Sequence, residues 1–449
     1  MSETVKQKRE RSLTGQIIRY IVPLILTGIL QLLYNAADNI VVGRFDGSNA
    51  LAAVGSTGSL INLIVNVFIG LSVGTAVAVA HDYGAGDYNG VQRTVHTSIL
   101  VSIFSGIIVG AFGCLCSGTF LEWMDTPPDV LPLSTIYLEI YFLGTPASLI
   151  YNFGASILRS VGDTKRPLFF LTISGIVNII LNLVFVIVFH MGVAGVAIAT
   201  IISQYVSMVL ILVCLVRERG CCHLDFKKLR IHPDKLKKIV RVGLPAGIQG
   251  SVFSISNVVI QSSVNSFGSL VMAGNTAASQ LEGFAYTAMN SVYHAALTFI
   301  GQNIGARRYD RINKVLVRCL IVVVTIGVVV GGLMFLFGEP LLRIYLPNDP
   351  DAIPYGITRL VYVMLPYFLC GMMEVMVGGQ RGMGMSIVPM ITSLVGSCLF
   401  RIVWIMTVFA SVHSLPALYI SYPISWTLTT AAHTVFYFIH YSKLKKSIR

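Results

Sequence analysis

Few side chains able to carry charge interrupt the apolar stretches of this chain: Asp38, Glu139, Glu282, Glu374 and Arg401 stand out. A charge is costly in hydrocarbon, so each marks a functional position by default. Asp38 ranks first. It lies near the outer end of the first apolar run, flanked by Ala37 and Asn39. Withdrawal from water favours the neutral form of any carboxyl group, which lets such a group load and release a proton. Ionised, it can instead hold Na+ beside other oxygens. Asn178 and Asn182 add two strong polar groups, and their i, i+4 spacing puts both amides on one helix face. Together with Thr200 in the next run they lie at depths of roughly 10–16 Å, against about 6 Å for Asp38. Tilt of long helices brings such levels together. One carboxylate, two amide oxygens and a hydroxyl form an oxygen cage suited to a hard cation. The plain alternatives are a helix-end carboxylate and ordinary interhelical amide bonding.

The remaining ionisable groups have competing readings. Glu374 precedes Arg381 by two turns, so it is either an ion-pair partner or an attractor for a cationic compound. Glu282, beside Gln280, faces a central cleft or snorkels to an interface. Glu139 stands among Tyr137, Tyr141 and Phe142, which read as an interfacial aromatic belt. Arg401 needs a carboxylate or carbonyl partner, with Glu374 and Glu282 as candidates. Tyr34, Asn35, Glu282, Glu374 and Arg401 form the candidate substrate cleft. Eight cysteines are scattered, and Cys221-Cys222-His223 lacks the second ligand pair a zinc site needs. There is no Walker motif, zinc spacing or nucleophile elbow. The expectation is a protein that is not an enzyme, uses no cofactor and draws on an ion gradient.

The elements that hold these groups follow from composition. Of 449 residues, 55% are hydrophobic and 12% charged; a soluble domain carries roughly 25% charged residues. Mean hydropathy is +0.76. Disordered chains, disulfide scaffolds and ordinary soluble enzymes are excluded, leaving an all-α polytopic membrane protein. The apolar runs predict twelve transmembrane helices, near 16–42, 50–80, 94–118, 131–158, 167–189, 192–216, 240–266, 274–300, 315–338, 354–379, 386–411 and 416–440. The net charge of +12 falls in the short gaps, which suits membrane orientation rather than nucleic acid. Lys6, Lys8, Arg9 and Arg11, then Arg159, Lys165 and Arg166, the 217–241 loop, Arg307, Arg308 and Arg311, and finally Lys443, Lys445, Lys446 and Arg449 share one side. The opposite side holds Glu122, Asp125 and Asp129 without Lys or Arg in that loop. Both termini are therefore placed in the cytoplasm, and no cleavable signal peptide is expected.

A repeat organises the runs. Arg19 and Pro23 recur as Arg241 and Pro245, and Arg159-Ser-Val-Gly162 with Pro167 recurs as Arg381-Gly-Met-Gly384 with Pro389. Gly84-Ala85 with Tyr88 recurs as Gly305-Ala306 with Tyr309. Near-constant offsets of this kind mark duplication. The expected plan is a tail over 1–15, one six-helix bundle over 16–216, a basic linker over 217–239, a second bundle over 240–440 and a tail over 441–449. Parallel repeats related along the membrane normal place substrate at their interface. Pro23 and Pro245 mark expected kinks. The glycine pairs Gly70/Gly74, Gly243/Gly247, Gly301/Gly305 and Gly378/Gly382 read as close helix packing.

The segment from Leu33 through Asp38 and Gly43-Arg44 to Gly55 resembles the first-helix signature of multidrug and toxic compound extrusion (MATE) transporters. Gly301-Gln302-Asn303-Ile304-Gly305-Ala306 with Arg311, and Arg159-Ser-Val-Gly162-Asp163-Thr164, resemble two further motifs of that family. The resemblance implies two pseudo-symmetric bundles around a cleft in the inner cell membrane. It implies export of organic cations or amphiphiles in exchange for H+ or Na+, by a monomer whose partners are small molecules and lipid. It also implies an N-terminal ion site that falls here on Asp38, Asn178, Asn182 and Thr200. Some relatives carry Asp where Asn182 stands, so the coupling ion stays open. The C-terminal acid of one branch maps to Cys370, one turn before Glu374, so that branch's second site is not reproduced. The rivals are a lipid-linked precursor flippase of the same superfamily and a major-facilitator-type carrier.

Overall fold

The computed structural model describes residues 13–45, 48–124, 126–347 and 349–446. The first twelve residues, Asp125 and Arg449 lie outside them, and so do the basic residues read in the N-terminal tail. Every regular element among the described residues is helical. Twelve long helical rods follow one another: α1 Leu13–Phe45, α2 Ser48–Gly84, α3 Tyr88–Trp123, α4 in two segments Leu131–Leu143 and Thr145–Ser160, α5 Lys165–Val188, α6 Gly192–Arg217, α7 Pro233–Asn265, α8 Ser269–Gly305, α9 Tyr309–Leu336, α10 in two segments Pro350–Met364 and Tyr367–Gly382, α11 Ile387–Phe409 and α12 Ser421–Lys446. Each overlaps one predicted run. Eight are long and apolar enough to cross a membrane unaided, and the bent pairs α4 and α10 bring this to ten. α8 and α12 complete the set. α8 is packed along most of its length by other helices, so its sequence can hold Asn, Ser and Gly without exposing them to lipid.

Two sharp bends go beyond the expectation. α1 and α7 run unbroken through Pro23 and Pro245. The bends of more than 40° sit at Gly144 in α4 (47°) and before Tyr367 in α10 (44°). Glycine weakens the first helix interior, and Pro366 removes an N–H from the second, so both sites favour a break. Widened π-turns lie beside buried polar residues. One covers Val184–Val188, directly after Asn182 and Leu183, and another covers Leu360–Met364, directly after Arg359. Such turns shift the side-chain register and recur at functional positions.

The two sequence halves meet chiefly toward the end that carries the α2–α3, α6–α7 and α8–α9 connections. Gly70 and Gly74 of α2 face Gly247, Gly243 and Ile239 of α7 backbone to backbone, and any Cβ there would overlap the neighbouring chain. Gly305 of α8 abuts the carbonyl of His81 in the same way. His81 Nε2 donates to the carbonyl of Gly382 at 2.7 Å, and Gln302 Nε2 donates to that of Ser160 at 2.7 Å. Gly378 and Gly382 press on Tyr293 and Leu297 of α8. The glycine pairs thus serve as helix–helix contacts, as their spacing implied. Toward the opposite end Gly55 and Gly58 of α2 face open space. The glycine contacts between the halves are thus confined to the other end of α2.

Candidate functional site

In the N-terminal half, α1 and α5 are locked together one turn below Asp38. The Tyr34 ring fills the space left by the missing Cβ of Gly175. That contact fixes the register of the two helices and brings Asp38 level with Asn182. Asn182 Nδ2 donates a short hydrogen bond to Asp38 Oδ1 and reaches Asn178 Oδ1 at 3.4 Å. Asn178 and Asn182 are 4% and 1% exposed, while Asp38 is half-buried. Asn182 Oδ1 is buried with no hydrogen-bond partner among the described residues. An acceptor left in that state is costly, by about 1–3 kcal/mol. Three oxygens (Asp38, Asn178 and Asn182) therefore stand close together, one of them lacking a donor. No Lys or Arg among the described residues forms an ion pair with Asp38.

Thr200 does not join this bonding. Its hydroxyl donates to the Val196 carbonyl of its own helix at 2.9 Å, the usual fate of a helical Thr. Asn35 is exposed.

The C-terminal half is arranged differently. Glu282 Oε2 accepts from Arg359 Nη2 at 2.5 Å, and Arg359 Nη1 donates to Asn275 Oδ1 at 2.8 Å. Tyr419 Oη donates to the same Asn275 oxygen at 3.0 Å, and Asn275 Nδ2 donates to Gln261 at 3.1 Å. The Arg359 guanidinium lies 5.6 and 5.5 Å from the ring centres of Tyr419 and Tyr422. Arg401 stacks on the other side of the same cluster, 4.2 Å from Tyr422 and 5.6 Å from Trp426, with Nε donating to Ser425 at 3.0 Å. The expected pairing of Arg401 with Glu282 or Glu374 is corrected here. Glu282 is taken by Arg359, and Arg401 meets the rings of Tyr422 and Trp426 in cation–π contact, with its Nη2 buried and without a hydrogen-bond partner among the described residues. Of the two readings of Glu374, the ion pair with Arg381 is absent. Arg381 donates to Tyr293 Oη and Gln249 Oε1, both at 2.8 Å. Glu374 stays half-buried without an ion pair among the described residues. Glu139 is exposed, and only its backbone carbonyl is engaged, by Cys114 Sγ at 3.2 Å.

Arg359 is the functional-looking residue that sequence spacing missed. It stands openly in the tenth run, but nothing in one dimension links it to Glu282, 77 residues away. Its signal was its own charge inside an apolar stretch. Arg318 in the ninth run carries the same signal.

The all-helical fold, its repeated halves and an acid in the opening helix describe a transporter built from two related bundles. Known proteins agree. The MatE family model matches residues 23–184 and again 245–407. The chain belongs to the multidrug and toxic compound extrusion family. Among similar proteins is the probable multidrug resistance protein YpnP of Bacillus subtilis, 26% identical over 387 residues and 86% of each chain. Another is the probable multidrug resistance protein NorM of Thermotoga maritima, 26% identical over 389 residues, 85% of this chain and 82% of that one. Among solved structures, an outward-facing multidrug resistance MATE family transporter of the MOP superfamily superposes with a TM-score of 0.91 at 22% identity, covering 99% of this chain and 100% of that one. That last likeness speaks for the fold.

Proposed function

We propose that this protein is a secondary active antiporter that exports organic cations or amphiphilic compounds by alternating access, driven by H+ or Na+ entering through the Asp38 site. The observation that carries the reading is the Asp38–Asn182–Asn178 cluster: a carboxylate without a basic partner, beside a buried amide oxygen that lacks a donor. A bound Na+ would supply what that oxygen lacks, and a protonated Asp38 would do so once the Asn182 amide turns its oxygen toward the carboxyl group. The orphan acceptor and the neighbouring oxygens fit a hard cation, with Thr200 available only after its hydroxyl turns from Val196. Binding of the ion changes the net charge at the α1–α5 contact, and α1 also packs on α8 through Tyr20, Gly28 and Leu32. Loading Asp38 therefore acts on a helix that touches both halves.

Substrate would sit in the cleft, where Tyr34, Asn35 and the half-buried Glu374 offer an aromatic ring, an amide and an unpaired carboxylate to a cationic amphiphile. The protein would work as a monomer in the inner cell membrane, with both termini in the cytoplasm and the cleft open outward. The test is efflux of a fluorescent cationic dye from cells or vesicles holding the protein. Efflux that stops when the pH gradient is collapsed assigns H+; efflux that needs Na+ assigns Na+. Dye transport indifferent to both gradients contradicts the reading.

A further inference from the structure

Arg318 breaks the pattern set by the other arginines inside spans. Arg359, Arg381 and Arg401 are buried and bonded within the protein. Arg318 instead points outward from α9, nine residues past Tyr309, roughly 13 Å along the helix. Arg311 and Lys314 stand exposed on the same face, at i−7 and i−4. The face is otherwise apolar: Val317 and Ile321 are 52% and 51% exposed. The opposite face, with Ile312, Val315, Leu316 and Cys319, is the buried one. None of the three cationic side chains forms an ion pair among the described residues.

The repeat shows what is missing there. α3 and α9 begin at the related residues Tyr88 and Tyr309, so Arg93 corresponds to Lys314 and Thr97 to Arg318. In the N-terminal half this face is covered by the chain's own α6–α7 connection and the first turn of α7. Arg93 lies 3.7 Å from the Asp234 carboxylate, Thr97 Oγ1 accepts from the His232 N–H at 3.1 Å, and His96 Nε2 accepts from the Asp225 N–H at 3.1 Å. His96 and Thr97 are buried as a result. No described segment covers the related face of α9.

We infer that the Arg311–Lys314–Arg318 face of α9 is a binding site for an anionic phospholipid. Its phosphate takes the place that the Asp234 carboxylate holds on α3, and its acyl chains lie along Val317 and Ile321. An arginine that far into an apolar helix can reach headgroup depth by snorkelling. Juxtamembrane cations of this kind add about fivefold each to anionic-lipid affinity.

The test uses the full chain in detergent micelles doped with either phosphatidylglycerol or phosphatidylcholine. Native mass spectrometry counts retained lipid, and thermal unfolding is followed in parallel. The expected result is preferential retention of phosphatidylglycerol with a raised Tm. The triple substitution Arg311→Gln, Lys314→Gln, Arg318→Gln should weaken this by about a hundredfold. A charge-matched control, Lys165→Gln, Lys227→Gln, Arg230→Gln, should keep it, and Arg318→Lys should keep most of it. Equal losses in the two triples, or no preference for phosphatidylglycerol in the unaltered protein, would overturn the site. Should the triple variant fail to fold, Arg318→Gln alone decides: retention equal to that of Arg318→Lys contradicts the proposal.

Discussion

The two halves share a fold by duplication and differ in what meets their buried charge. In the N-terminal half an acid, Asp38, is met by amides. In the C-terminal half an acid, Glu282, is met by a guanidinium, which further amides and rings hold in place. A carboxylate facing neutral donors can exchange a proton or a metal cation without breaking an ion pair. A carboxylate clamped by Arg359 cannot do so without leaving a buried charge uncompensated. The lesson is that a repeat passes on helices and contacts, while the chemistry of each half is set by a few later substitutions.

Breaking the C-terminal pair should produce the largest effect. Arg359→Ala leaves Glu282 without its counter-charge, while Asn275 keeps only the Tyr419 hydroxyl as donor, and should destabilise the protein by about 3–5 kcal/mol. The Arg359→Met, Glu282→Leu double replacement should recover much of that in a thermal unfolding assay. If the double variant regains stability and also transports, the C-terminal cluster is a structural clamp and the contrast between the halves is sharpened.

Next comes the seam where the halves touch. Gly247→Ala would drive a methyl group into the Val67 backbone and should weaken the seam by about 1–3 kcal/mol. Spin-label distances across the α2–α3 and α8–α9 connections should then widen. Gly55→Ala, at open space on α2, should leave them unchanged.

Asn182→Ala removes one interhelical hydrogen bond and should cost only about 0.6 kcal/mol of stability. The same change should lower the apparent affinity for the coupling ion, read as a higher ion concentration at half-maximal dye efflux. A stability loss without that shift would make Asn182 a packing residue and erase the contrast.

The smallest effect belongs to Glu218, outside the spans, whose carboxylate is held below the usual range by its hydrogen bond from Arg166 at 2.6 Å. A depressed carboxyl adds stability above its ordinary titration range and loses it as pH falls through the folded value. Both side chains are partly exposed, 42% for Arg166 and 23% for Glu218. Glu218→Gln should therefore cost about 0.3 kcal/mol near neutral pH, less in high salt, with the difference vanishing in acid.

The helices were legible because twelve apolar runs leave few other ways to satisfy a backbone in lipid. Asp38, Asn178 and Asn182 were legible because charge and i, i+4 spacing are written in the sequence. The partners of Arg401 and Glu282 were not. They depend on which faces of α8, α10 and α12 turn toward one another, and the π-turns beside Arg359 and Asn182 shift that register. The bends at Gly144 and Pro366 were missed for a related reason. A Pro such as Pro23 can sit inside a continuous helix, so residue type alone does not choose the break.

The most direct trial of the whole account is Asp38→Asn in sealed vesicles under an imposed ion gradient. The amide keeps the size of the side chain and its contact with Asn182 but cannot take up a proton or balance a cation. Uphill dye movement should disappear while dye binding to the cleft persists. Gradient-driven movement at the unaltered rate would mean that the opening helix does not carry the coupling ion.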